Sequence, residues 1–424
     1  MDDYRGRFVP ELDLGHLSRR ALAVLGREYM MAAHLQDRAG IPHLLARFGE
    51  DAIRDVAIDE WMGASPVYTR RMQRALGFSG DDVATIFKGL QLDVGAPHAY
   101  LDFRLRVIDE RHGEFWLPYC GALADAEPMG EEYVRRMCHD IEDPTFDATA
   151  VATNPRARIR PIHRPPRVPA GRTPVCHWTV TIDPEAEAVE EIPLTGRVRT
   201  SRAARLELPP LGGAEPGGWS DYSGPFDPDF QLEDLSHEAL TRAAREFCLQ
   251  GHLLCLSFQL AVAERFGDAA AREIAVQQWV GVAGIAAERI ARAMGIEGES
   301  LEDAAKLLQL HPSFQPRAYV DLHVELDEEG IHCRVGPCEA LAEEEGRTWL
   351  HLGPEALGRA VESIVRTVAP RARCEVLAGE GGRPAWRVRI APGAAPLAEP
   401  PEVAITRIST GASFAFEQRR PLRA

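Results

Sequence analysis

Three cysteines and two histidines carry the most suggestive chemistry in the chain: Cys120, Cys138, His139, Cys176 and His177. Thiolates and imidazoles are the preferred donors of soft ions, so Cys120, Cys138, Cys176 and His177 would suit zinc or iron. A second chemistry is open to the same set. A thiolate beside an imidazole is a nucleophile, and His139 or His177 would serve as acid/base because imidazole titrates near neutral pH. Cys138 follows Cys120 by 18 residues and Cys176 follows Cys138 by 38, spacings that match no strong zinc motif. Convergence must therefore come from the fold. Plain packing is the competing reading. Cys138 shares an apolar helix face with Val134, Met137 and Ile141, from which His139 points away, and His177 alternates with Trp178 along a strand.

The elements that would position these residues occur twice. LSRRALAVLGREYMMAAHL from Leu17 matches LSHEALTRAAREFCLQGHL from Leu235, and LARFGEDAIRDVAIDEWMG matches AERFGDAAAREIAVQQWVG. The offset is 218 residues for His34 with His252 and for Trp61 with Trp279. After a slip, AYLDFRL meets AYVDLHV, Cys120 meets Cys338, NPRARI meets APRARC, and WTVTI meets WRVRI. Self-similarity in this order is the mark of tandem duplication. The expected units span 15–183 and 233–391, with a Pro/Gly-rich linker over 184–232 and a tail over 392–424.

Each unit opens with helices. Ser18 and Ser236 are expected N-caps, and Gly49 and Gly267 expected helix ends. Apolar residues recur at three and four positions, as at Leu22, Leu25 and Tyr29. The period then becomes two: Leu101, Phe103, Leu105 and Val107 alternate with charged residues, as do Val320, Leu322 and Val324. A hairpin, another helix and a closing hairpin follow. This order predicts an α+β fold with an antiparallel sheet in each copy. In the tail, VAITRI reads as a last strand. Trp61 and Trp279 read as core anchors, and His34 and His252 as buried, hydrogen-bonded helix residues.

Features found in one copy only are the best markers of an active half. Cys138, His139, Cys176 and His177 have counterparts near Gly353, Pro354, Pro384 and Ala385, and only copy one has Asp37 and His43. Cys120 is shared with Cys338. Bulk properties narrow the partners. A net charge of −16 argues against nucleic acid or an anionic membrane. The stretch Cys248–Ala263, broken by Gln250, His252 and Gln259, suits a buried helix better than a membrane span. The eight cysteines form no C-x-x-C pair, and no basic-then-apolar signal opens the sequence, so reduced thiols in a cytoplasm are the expectation. Neither GxGxxG nor a P-loop motif occurs.

Copy one, with RFGEDAIRDVAIDEW, then LPYC, EEYVRRMCHDIEDPTF, NPRARI and VCHWTVTI, resembles the L-2-amino-thiazoline-4-carboxylic acid hydrolase-like family. Similar closing strands occur in small-molecule-binding domains related to 4-vinyl reductases. The resemblance implies a hydrolase-like enzyme acting on a small sulfur- or nitrogen-containing metabolite, with its site in copy one. Copy two lacks Cys138, Cys176 and both adjacent histidines. It would then be a structural or regulatory half of an intramolecular pseudo-dimer. A non-catalytic accessory protein that binds a small molecule or metal is the alternative.

Overall fold

The structure is a computed structural model, and it describes residues 1–208 and 216–417. Copy one runs α1 (Arg19–Phe48), α2 (Glu50–Ala75), α3 (Val83–Gln91), β1 (Arg104–Asp109), β2 (His112–Leu117), α4 (Gly121–Ala126), α5 (Glu131–Arg135), a π-helical turn (Arg136–Ile141), α6 (Glu142–Val151), β3 (Ala157–His163) and β4 (Cys176–Ile182). Two short helices follow, α7 (Pro193–Thr200) and α8 (Arg202–Arg205). Copy two repeats the order: α9 (His237–Phe266), α10 (Asp268–Met294), α11 (Leu301–Leu310), β5 (Leu322–Leu326), β6 (Ile331–Val335), α12 (Pro354–Val365), β7 (Ala372–Ala378), β8 (Pro384–Ile390), α13 (Pro401–Thr406) and α14 (Thr410–Ser413).

The caps fall where the sequence placed them. Ser18 and Ser236 accept the backbone N–H three residues on, and Gly49 and Gly267 end α1 and α9 with φ of 81° and 85°. The sheets are antiparallel with matching orders, β1-β2-β4-β3 and β5-β6-β8-β7. Phe115 pairs with Trp178 in the first and Cys333 with Trp386 in the second. A carboxylate on the helix behind each sheet fixes the register. Asp147 accepts the Ile159 N–H at 2.9 Å and Glu362 accepts the Cys374 N–H at 3.1 Å. These pairs set the offset at 215 residues across α6 and α12.

The long helices are shared between the halves. α1 packs on both α9 and α10, and α2 on α9. α9 is long and apolar enough to cross a membrane, but nearly all of it lies buried inside this bundle. The first sheet closes over a core that draws Met31 and Leu35 from α1 together with Val282 and Ile285 from α10. The fold is thus α+β, duplicated, with one helical centre and two flanking sheets.

Two expectations change. VAITRI is not a strand; Val403 to Thr406 lie in α13, where Pro400 precedes the first turn and Val403 is wholly buried. The segment 184–232 is not linker throughout, because it contains α7 and α8, which correspond to α13 and α14. The symmetry shows in the glycines beneath them. A Cβ on Gly63 would meet Leu194 of α7 at 2.1 Å, and one on Gly281 would meet Thr406 of α13 at 2.5 Å. Only a residue without a side chain allows such approach. The most Pro/Gly-rich part of the expected linker, 209–215, lies outside the described residues.

Candidate functional site

Cys120, Cys138 and Cys176 come from three different elements and line one cavity of about 150 Å³ in copy one. Cys120 sits at the N-cap of α4, where its sulfur accepts the Leu123 N–H at 3.3 Å. Cys138 lies in the π-helical turn, and Cys176 opens β4 opposite Leu117. The extra residue of a π turn shifts the side chains that follow it, a distortion common at functional sites.

The histidines do not join the thiols. Alternation along β4 puts His177 on the far side of the sheet, where Nε2 meets Glu114 at 3.2 Å. His139 reaches the Pro165 carbonyl at 2.7 Å. Neither lines the cavity. Among the described residues no three His, Cys, Asp or Glu side chains are arranged to hold a metal ion. The zinc or iron set of Cys120, Cys138, Cys176 and His177 therefore does not fit, for want of the imidazole. Burial also holds the thiols in their protonated form. It pushes Cys120 up to about 12 and Cys138 and Cys176 well above the usual thiol range.

Seven other residues face the same space, none of them among the expected thiols and imidazoles, although Asp37 stands out in the sequence as present only in copy one. Glu142 follows the π turn directly, and burial among apolar neighbours raises its carboxyl to about 8, against the pull of Arg164. On α6, Glu142, Thr145, Phe146 and Thr149 form the stripe that faces the cavity. The threonine hydroxyls donate to the carbonyls of Ile141 and Thr145 at 2.8 and 3.1 Å, which leaves their lone pairs available. From α1 come His34, Asp37 and Arg38.

His34 is buried, at 6% exposure, and neither ring nitrogen has a hydrogen-bond partner. Burial lowers its pKa to about 3, so the ring is neutral. The expected helix-holding histidine is found in the other copy, where His252 bonds the Gln315 carbonyl at 2.9 Å. Asp37 accepts the indole N–H of Trp61 at 3.0 Å, so this tryptophan is a cavity wall rather than a core anchor. Trp279, wholly buried, donates to Ser313 and stacks on Trp349 at 5.7 Å. Burial raises Asp37, and it raises the neighbouring Glu60 further still, with the charge of Asp37 adding to the push on Glu60.

Arg38 meets Asp125 through Nε at 3.4 Å. Asp125 is itself gripped from α14. Ser409 Oγ donates at 2.6 Å, and the Thr410 N–H and hydroxyl donate at 2.7 Å each, while Tyr100 donates at 3.2 Å. Burial opposes ionisation of Asp125, but these bonds outweigh it and keep the carboxyl below the usual range. The remaining walls are apolar, among them Leu90, Leu101, Phe103, Leu117 and Trp178. An apolar pocket with a few convergent polar groups is the ordinary form of a small-molecule site.

Comparisons of the chain with protein-family models, with curated proteins and with solved structures found no match.

The sequence did hold a signal for the missed residues. At the offset of 218, Asp37 and Arg38 face Cys255 and Leu256; at 215, Glu142, Thr145, Phe146 and Thr149 face Leu357, Ala360, Val361 and Ile364. Position by position, the polar cavity stripe of α6 is an apolar stripe in α12.

Proposed function

We propose that copy one is a small-molecule-binding unit and that copy two is its scaffold. One observation carries this reading. His34 is buried with both nitrogens unpaired beside a cavity of about 150 Å³, whereas its twin His252 is hydrogen-bonded beside one of about 20 Å³. A buried unpaired polar group costs about 1–3 kcal/mol, and a ligand that bonds to it would recover that cost. For scale, an engineered apolar cavity of about 150 Å³ takes up benzene.

The test grafts the twin's stripe. Glu142→Leu with Thr149→Ile should fill the space, as Leu357 and Ile364 do in copy two. Small molecules released by denaturing the purified protein are identified by mass spectrometry. A species that accompanies the wild type in stoichiometric amount should be missing from the graft. Equal recovery from both proteins would defeat the reading.

A second reading keeps catalysis, as hydrolysis of a small sulfur- or nitrogen-containing metabolite. It is favoured by Glu142, whose carboxyl at about 8 is the protonated partner a general acid requires at neutral pH. The thiols suit it less, since burial keeps them un-ionised. If Glu142 is the acid, turnover of any substrate found should fall as pH rises through about 8, and Glu142→Gln should remove that limb. Cys120→Ala should lower turnover, while Cys338→Ala, in the other copy, should not.

A further inference from the structure

We infer that the molecule held in copy one is an aromatic monocarboxylate, its carboxylate on Arg38 and His34 and its ring among Phe103, Phe146 and Trp178. This rests on the reading of the cavity as a binding site and adds the chemistry of the occupant.

The argument starts from Arg38. Its guanidinium lies at the cavity wall, and its terminal nitrogens donate no hydrogen bond to the described residues. Its one ion-pair partner, Asp125, is already spent: two carboxylate oxygens receive four donors from Ser409, Thr410 and Tyr100. A carboxylate offers about four lone-pair sites, so Asp125 holds the arginine by charge, with Nε at 3.4 Å, and takes no hydrogen bond from the guanidinium. The guanidinium fork matches a carboxylate in two parallel bonds.

His34 stands one helical turn before Arg38 on the same face of α1, with two free nitrogens. A neutral imidazole always has one N–H to donate. Of the other acids near the cavity, Asp37 accepts the Trp61 N–H and is pushed up by burial, as Glu60 is further still, and Glu142 is raised to about 8. Other walls of the cavity are aromatic: Phe146 and Trp178 meet edge to face at 4.9 Å, and Phe103 packs on Phe115 at 5.3 Å. Copy two supplies the control. It has Leu256 in place of Arg38, and its histidine is satisfied by the Gln315 carbonyl.

Phenylacetate and phenylacetamide differ chiefly in charge, and calorimetric titration of each into the full-length protein tests the assignment. The wild type should bind phenylacetate at least tenfold more tightly than the amide. Arg38→Leu, which copies the twin, should cost the acid at least tenfold and leave the amide within twofold. Arg38→Lys keeps the charge without the fork and should cost the acid a smaller factor, which keeps the test valid should the leucine variant fail to fold. Equal affinity of the wild type for both probes would overturn the acid assignment and leave the cavity reading standing. Failure of both probes to bind at millimolar concentration would overturn both.

Discussion

Copies one and two share their long helices and their four-stranded sheets and differ in what lies between sheet and helices. In copy two the space is filled. Leu357, Ala360, Val361 and Ile364 are all buried, and Trp349 stacks on Trp279. In copy one the same positions carry Glu142, Thr145, Phe146 and Thr149 around a cavity, with Arg38 where copy two has Leu256. The lesson is that the scaffold tolerates either solution. A packed interior favours stability, so the open, charged one persists at a cost that a function would explain.

The comparison breaks most readily at the Asp125 clamp. Asp125→Ala strands a buried guanidinium and should cost about 3–5 kcal/mol. Glu343→Ala, at the twin position, removes an acceptor from the Arg202 and Ala203 N–H groups and no buried cation, and should cost about 1–2 kcal/mol. Urea unfolding of both variants measures the difference, and equal losses would mean that Arg38 does not depend on Asp125.

A smaller contrast is expected at the paired histidines. His252→Leu orphans the Gln315 carbonyl and should destabilise by about 1–3 kcal/mol. His34→Leu removes two unpaired nitrogens and should be neutral or stabilising in the ligand-free protein. A large loss at His34 would reveal a partner for its ring.

Glu142 gives a pH-dependent effect. Its folded-state pKa, about 8, lies above the ordinary carboxyl value, so the native state holds a proton that the unfolded state has lost. Stability is therefore highest below about 4.5 for this group and falls as pH rises through about 8. The groups that face Glu142 are Arg164, Asp143 and the thiols of Cys120, Cys138 and Cys176. Glu142→Gln should gain on the order of 4 kcal/mol over the wild type between pH 5 and pH 9. Thermal unfolding at the two pH values checks the sign. Three of the buried histidines, His34, His252 and His311, act oppositely. Burial depresses each, so stability falls as pH drops below about 6.5 and their unfolded forms take up protons.

The architecture was legible because it repeats. Periodicity at Leu22, Leu25 and Tyr29 and alternation at Leu101 to Val107 each occurred in both copies, and Ser18 and Gly49 punctuated them. The convergence of Cys120, Cys138 and Cys176 was suggested by the absence of the latter two from copy two. His139 and His177 were grouped with them through adjacency in sequence, although neighbouring residues on a strand point to opposite faces. VAITRI misled because six apolar-rich residues fit a short helix as well as a strand. Arg38 and Glu142 went unnoticed because a charged residue on a helix usually faces water, and only matching α6 with α12 shows that this stripe turns inward.

The grip of Ser409 and Thr410 on Asp125 joins positions 284 and 285 residues apart. The sheet of copy one also closes on Val282 and Ile285 of α10, so its cavity is complete only after copy two has been made. During synthesis, its arginine would wait without an anchor until nearly all of copy two had been made. Duplication has thus given the molecule an order of assembly, in which the later half supplies the catch that sets the earlier one.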